Sequence, residues 1–153
     1  LFRRLIQALR PSPQRDFELL HPAGFRITRA LALSSMPDPA TDGQTRRDMG
    51  NGWVWVRLPV FAEGDVIVDI SLGFHRGRLE QIALTDAHAQ YGTNWNDASE
   101  KQERLRAVSI GNWLAAKGFP ASRYAWGSVE AGYDAKSCSG SASVRFHHHT
   151  VRS

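Results

Sequence analysis

Tyr124–Phe146, YAWGSVEAGYDAKSCSGSASVRF, alternates apolar with small or polar residues on both sides of a polar loop that carries Asp134, Lys136 and Ser137. A period of two marks a strand with one face packed and the other in water. The stretch therefore reads as two strands, Tyr124 to Tyr133 and Ser141 to His149, turned back at Asp134 to Gly140. Three more strand signals lie upstream as a meander: WVWVRLPVF from Trp53, GDVIVDISLGF from Gly64 and RLEQIALT from Arg78, with Glu63-Gly64 and Arg76-Gly77 at the junctions. In the second of them Val66, Val68, Ile70, Leu72 and Phe74 share one face, while Ile67, Asp69, Ser71 and Gly73 share the other. An antiparallel sheet of this kind has an apolar face that needs a cover.

Ser99 to Lys117, SEKQERLRAVSIGNWLAAK, supplies one. Asp97 or Ser99 can cap the start of a helix there, and Gly118 with Pro120 ends it. The spacing of Leu105, Val108, Ile110, Trp113 and Leu114 predicts an apolar stripe. Strands, helix, strands in that order predict an α+β fold: an antiparallel sheet of five or six strands with one main helix, residues 99–117, packed on one face. Phe25 to Leu33 reads as a further strand leaving the core's edge. Ser34 to Gly52, rich in Ser, Pro, Asp, Gly and Thr, reads as a long loop. Residues 1–23 read as a basic arm whose opening, Leu1 to Leu9, forms a short helix ended by Pro11 and Pro13; residues 24–153 form one domain.

The chain's 153 residues suit a single core, and 42% hydrophobic with 22% charged residues excludes wholesale disorder. The five tryptophans, at 53, 55, 95, 113 and 126, are expected in the core first and at an interface second. Cys138 is the single cysteine, so no internal disulfide can form, and a reducing, cytoplasmic location is expected. No apolar run approaches the ~18 residues that span a bilayer. The net charge of +4 sits at the amino end, where six Arg stand against Asp16 and Glu18 within residues 1–30. The rest is neutral, which argues against nucleic acid as the main partner.

No phosphate-binding glycine loop, nucleophile elbow or HExxH motif occurs, and no cofactor is expected. His147 and His149 would share a strand face, but two ligands are too few for a metal site, and the three consecutive histidines read as a solvated tail. Cys138 or a neighbouring serine could act as a nucleophile beside a histidine, yet Ser and Gly in a turn, with Asp134 bonding the loop backbone, account for the same residues. Tyr133, Asp134, Lys136 and Arg145 read as a charged cluster at the sheet's rim. Trp95-Asn96-Asp97 reads as closure of the core before the helix.

Phe74 to Leu79 (FHRGRL), Trp95-Asn96-Asp97, Trp113-Leu114, and Trp126-Gly127 through Tyr133-Asp134-Ala135-Lys136 to Val144-Arg145-Phe146 are similar to small bacterial α+β immunity proteins encoded beside toxins. The resemblance spans about half of the chain and implies a non-enzymatic protein that binds a cognate toxin or effector and occludes its active site. The neutral body argues against a strongly basic target. The contact candidates are Trp126, Tyr133, Asp134, Lys136, Arg145 and the 34–52 loop. Two rival expectations stand beside this one. A small enzyme or ligand-binding domain would use a pocket between sheet and helix, with His75, Asp86 or His88 as acid or base. An assembly subunit would dock through its basic amino-terminal arm.

Overall fold

A two-residue turn, Arg76-Gly77, joins the two longest strands, and both residues adopt positive φ (51° and 82°). That geometry matches the right-handed twist of a tight hairpin, and glycine takes it at no steric cost. The hairpin is the centre of the sheet in the computed structural model, which describes residues 15–37, 45–93 and 99–148. In chain order the strands are β1 (Glu18–Leu20), β2 (Arg26–Thr28), β3 (Thr45–Asp48), β4 (Trp53–Arg57), β5 (Phe61–Glu63), β6 (Val66–His75) and β7 (Arg78–Asp86). Helix α1 (Glu100–Ala116) follows, and then β8 (Ser122–Tyr124), β9 (Gly127–Asp134) and β10 (Ser139–Phe146). The eight strands β3–β10 form one antiparallel sheet in the spatial order β3-β4-β6-β7-β10-β9-β8, with β5 also on β6. Strands β1 and β2 make a separate hairpin.

The architecture is the expected α+β sheet with, among the described residues, one α-helix, but it has more strands than five or six. Each extra strand lacks a strong pattern of its own. Strand β3, Thr-Arg-Arg-Asp, lies inside the stretch expected to be loop and is exposed throughout. It is an edge strand whose charges discourage further pairing. Strand β5 continues the line of β4 along β6 after an interruption at Pro59, which has no N–H to give the ladder. The Pro59 carbonyl instead accepts a 2.8 Å bond from His21 Nε2. The expected strand from Phe25 to Leu33 shortens to β2, and Leu33–Ser35 forms a single 3-10 turn.

Strands β6, β7 and β10 send Val68, Ile70, Leu72, Phe74, Ile82, Leu84, Ala142 and Val144 to one buried face. Helix α1 crosses that face over β7, β10 and β9. Its approach is set by Gly140, where a Cβ would fall on the Glu103 carbonyl. Ser99 caps the helix, its hydroxyl accepting from Gln102 N at 3.1 Å. The buried stripe is Glu103, Ala107, Ile110, Trp113 and Leu114, whereas Leu105 and Val108 are 50% and 57% exposed. Leu105 and Val108 therefore leave the expected stripe, and a charged residue joins it.

Glu103 tolerates burial because its partners are fixed. Its carboxylate accepts from Arg106 Nε at 3.0 Å and from the Gly140 amide at 3.2 Å. Arg106 also donates to the carbonyls of Asp86, Tyr91 and Gly92. Beside the helix, the same face is sealed by an aromatic cluster in which Trp126 stacks on Tyr124 (4.7 Å, 12°) and meets Phe17, Phe119 and Phe146 edge-on or tilted. Phe17, Leu19 and His21, which the sequence reading leaves with the arm, are buried here. The helix's far end is clamped by Glu63, which accepts from Trp113 Nε1 at 2.8 Å and pairs with Lys117. The Glu63 carboxyl is held below its usual 4.5, first by the Lys117 ammonium and also by the indole N–H.

Candidate functional site

The second face of the sheet carries the other half of every alternating strand, and among the described residues no helix or hairpin packs on it. Strand register sets its rows. One runs Arg47, Trp55, Gly73, Gln81, Arg145, Ser128, and the next Thr45, Arg57, Ser71, Ala83, Ser143, Glu130. The middle of the face is thus a floor of Ser, Gly and Ala, and bulkier or charged side chains stand on both flanks.

On the β4 flank, Trp53 and Trp55 stack at 6.2 Å and 14°, and Trp53 lies 5.1 Å from the His75 ring. Trp55 rests flat over Gly73, where a Cβ would come within 2.7 Å of the indole. The glycine is what lets the ring lie down. Both tryptophans are half-buried, each against the other's ring. Next to them Arg57 makes a two-pronged ion pair with Asp69, at 3.0 and 2.8 Å, which raises the guanidinium pKa further, first through the hydrogen bond and then through charge. A depression of about 430 Å³ opens between Arg47, Met49, Trp55 and Ser71. On the opposite flank a second one, about 420 Å³, is lined by Gln81, Glu130, Ser141, Ser143 and Arg145. Arg47 and Arg145 are exposed and have no ion pair among the described residues.

A third concavity lies at the sheet's end. Strands β7 and β10 pair only as far as Leu84 and Ala142 and then part, leaving a notch of about 400 Å³ rimmed by Asp69, Thr85, Ser139 and Ser141. Its floor is the Glu103–Arg106 pair. Arg106 is already engaged by one carboxylate and three carbonyls, so it is a strut of the fold and offers little to a bound anion.

The residues singled out in the sequence are spread over both faces. Trp126, a contact candidate, is 2% exposed and donates its indole N–H to the Arg15 carbonyl at 2.7 Å, so its surface is spent in the core. Tyr133 is half-buried on the helix side, with Arg104 5.1 Å above its ring. Its phenol pKa is pushed up by desolvation and by the Cys138 thiol. Asp134 and Lys136 sit at the hairpin tip, where Asp134 accepts from the Lys136 amide and the Ser137 hydroxyl. Those bonds, the Ser137 hydroxyl first, hold the Asp134 carboxyl below its usual range. Arg145 pairs in register with Ser128, six residues from Asp134, or roughly 20 Å away at ~3.4 Å per residue. The expected rim cluster assembles only in part: Asp134 and Arg145 border the same depression on the uncovered face, with Tyr133 at its edge, but no ion pair joins them among the described residues, and Lys136 lies in the turn.

The acid and base candidates do not converge either. Asp86 is fully buried and accepts from the amides of Ile67 and His88 and from Ser109 Oγ at 2.6 Å, a structural role. His88 caps the 3-10 turn Ala89–Tyr91 through Gln90 N. His75 stands at the opposite end of β6, beside Trp53. Cys138, in a left-handed conformation (φ 53°), bonds the Ala135 carbonyl. His148 is held against the Leu79 carbonyl at 3.0 Å and does not belong to a solvated tail. Among the described residues no three His, Cys, Asp or Glu side chains gather as metal ligands. No described helix is long and apolar enough to cross a membrane. Residues 1–14, the centre of the 34–52 stretch, Trp95-Asn96-Asp97 and His149 lie outside the described residues.

The sequence reading missed Trp53, Trp55 and Gln81 as surface residues, and reached Arg47 only as part of the 34–52 stretch. The signal was there: the same alternation that assigns Val66 to Phe74 to the core assigns Asp69, Ser71 and Gly73 to an opposite face, and one helix can cover only one of the two. No protein-family model matches the chain, and neither a curated protein nor a solved structure matches it significantly.

Proposed function

We propose that the chain is a non-enzymatic protein-binding domain of the immunity type, which occludes a bacterial toxin or effector with the uncovered face of its sheet. One observation carries the reading: a stacked, half-exposed Trp53–Trp55 pair stands at the edge of a floor of small residues, with Arg47 and Arg145 on either side making no ion pair among the described residues. Rigid aromatic and arginine side chains are the groups that dominate binding energy at interfaces, and a floor of Ser, Gly and Ala admits side chains from a partner. The scatter of His75, Asp86 and His88 gives an enzymatic reading no comparable support.

Capture from the native lysate tests the surface, comparing the wild-type chain with Trp53→Ser/Arg145→Glu and with a control on the outer helix face, Leu105→Glu. A single stoichiometric partner held by wild type and control, and lost by the double variant at unchanged melting temperature, supports the assignment. Equal capture by all three would remove the face from consideration. The immunity role has its own test. The captured partner should arrest growth when expressed alone, and co-expression of this chain should restore it; arrest that persists would leave a binding domain of another kind.

A further inference from the structure

The geometry points to a second binding surface, away from the tryptophan flank of the uncovered face: the outer edge of β9, where an extended segment of another protein adds as one more strand. Strand β8 covers this edge only at Gly127, Ser128 and Val129. From Glu130 to Asp134 the strand pairs with β10 on its inner side and with nothing among the described residues on its outer side. Alternate residues of an antiparallel strand turn their N–H and C=O groups outward, so this stretch presents an unused hydrogen-bonding row.

A groove of about 550 Å³ runs between that edge and α1, lined by Ala107, Val108, Gly111 and Ala115 from the helix and Ala131 from the strand, with Tyr133 and Arg104, which is paired with Glu100, at its end. Gly111 brings the helix so near that its Cβ would lie 3.1 Å from that of Ala131. Alternate side chains of an added strand would drop into this apolar groove, as when peptides bind between a helix and a sheet edge. The remaining side chains would stand on the other face, opposite Glu130, Gly132 and Asp134. Glu130 and Asp134 are both exposed, and the Ser137 and Lys136 bonds to Asp134 favour its charged form.

Charge selects the occupant. A second copy pairing antiparallel about Gly132 would set Glu130 directly opposite Asp134 of its partner, twice, and like charges facing across strands destabilise a pair. The fitting occupant alternates small apolar residues with Lys or Arg and places the basic residues opposite 130 and 134.

The probe is a capped peptide centred on Lys-Val-Thr-Val-Lys, whose pattern reads the same in either direction, with Glu-Val-Thr-Val-Glu as its control. Amide exchange followed by NMR should show fast exchange of the outward amides within 130–134 in the free protein. Saturating basic peptide should slow it about tenfold or more, and the acidic control should bind at least about tenfold more weakly. Val108→Glu and Ala115→Leu, at exposed helix positions, should weaken binding while melting normally, whereas Trp53→Ser should leave it unchanged. Four results would each overturn the proposal: no binding of the basic peptide at millimolar concentration, equal binding of the two peptides, slow exchange already in the free monomer, or a sedimenting dimer with the same amides protected.

Discussion

Trp126 illustrates how little a residue's type says about its place. An indole can anchor an interface or close a core, and its neighbours decide which. Here the ring is enclosed by Phe17, Tyr124, Phe119 and Phe146, and its N–H is satisfied by a backbone carbonyl from residue 15. Two of those partners are distant in sequence, so no local pattern could have reported them. We expect Trp126→Ala to cost about 3–5 kcal/mol, read by denaturant unfolding, because it removes a large buried ring and frees the Arg15 carbonyl. A loss under about 1 kcal/mol would mean that the ring is not packed as described. Trp53 and Trp55, of the same residue type, sit on the opposite side of the sheet because Gly73 leaves the space for one of them to lie flat. Asp86 is a similar lesson in a polar residue. A carboxylate that already accepts two amides and one hydroxyl has little capacity left for chemistry.

Among the elements, α1 was legible in start, end and length, since Ser99, Gly118 and Pro120 are local signals that act within a turn or two. Its buried stripe was not. The apolar residues Leu105 and Val108 face out and Glu103 faces in, because the register between helix and sheet is set by Gly140 and by the bonds that Glu103 makes to Arg106 and to the β10 backbone. Replacing Glu103 by Ala should cost about 3–5 kcal/mol, as when one member of a buried ion pair is removed. Leu105→Lys should change stability by no more than about 0.5 kcal/mol, as surface substitutions do. Chemical denaturation of the two variants side by side checks the rotation of the helix; a costly Leu105 with a cheap Glu103 would reverse it. The small strands β3, β5 and β8 form a second lesson at this scale. They borrow their conformation from a longer neighbour, so their own residues need no alternation.

For the whole molecule, the covered face is held at its margin by Glu63, which joins the end of β5 to the end of α1. The sign of its pH dependence follows from its lowered pKa. The ionised carboxylate is favoured by folding, so its contribution is complete above the usual 4.5 and is lost as pH falls below that value through the folded one. The pair is well exposed, so the contribution is small, about 0–1 kcal/mol. Glu63→Gln should lower stability by that amount at pH 7 and leave it unaltered near pH 2, checked by thermal unfolding across pH. A difference that grew on acidification would contradict the ion-pair account.

The sequence alone determined that the chain builds an antiparallel sheet with one covering helix, because alternation and capping are written within a few residues and act locally. It also determined which residues of β6 and β10 share a face, since that follows from a period of two. Only the tertiary structure decided how α1 is rotated on the face it covers, where β8 stops along β9, and whether Trp126 or Trp55 meets solvent. Those outcomes depend on contacts between residues far apart in the chain, made at distances where one side chain more or less at Gly73, Gly111 or Gly140 would forbid them.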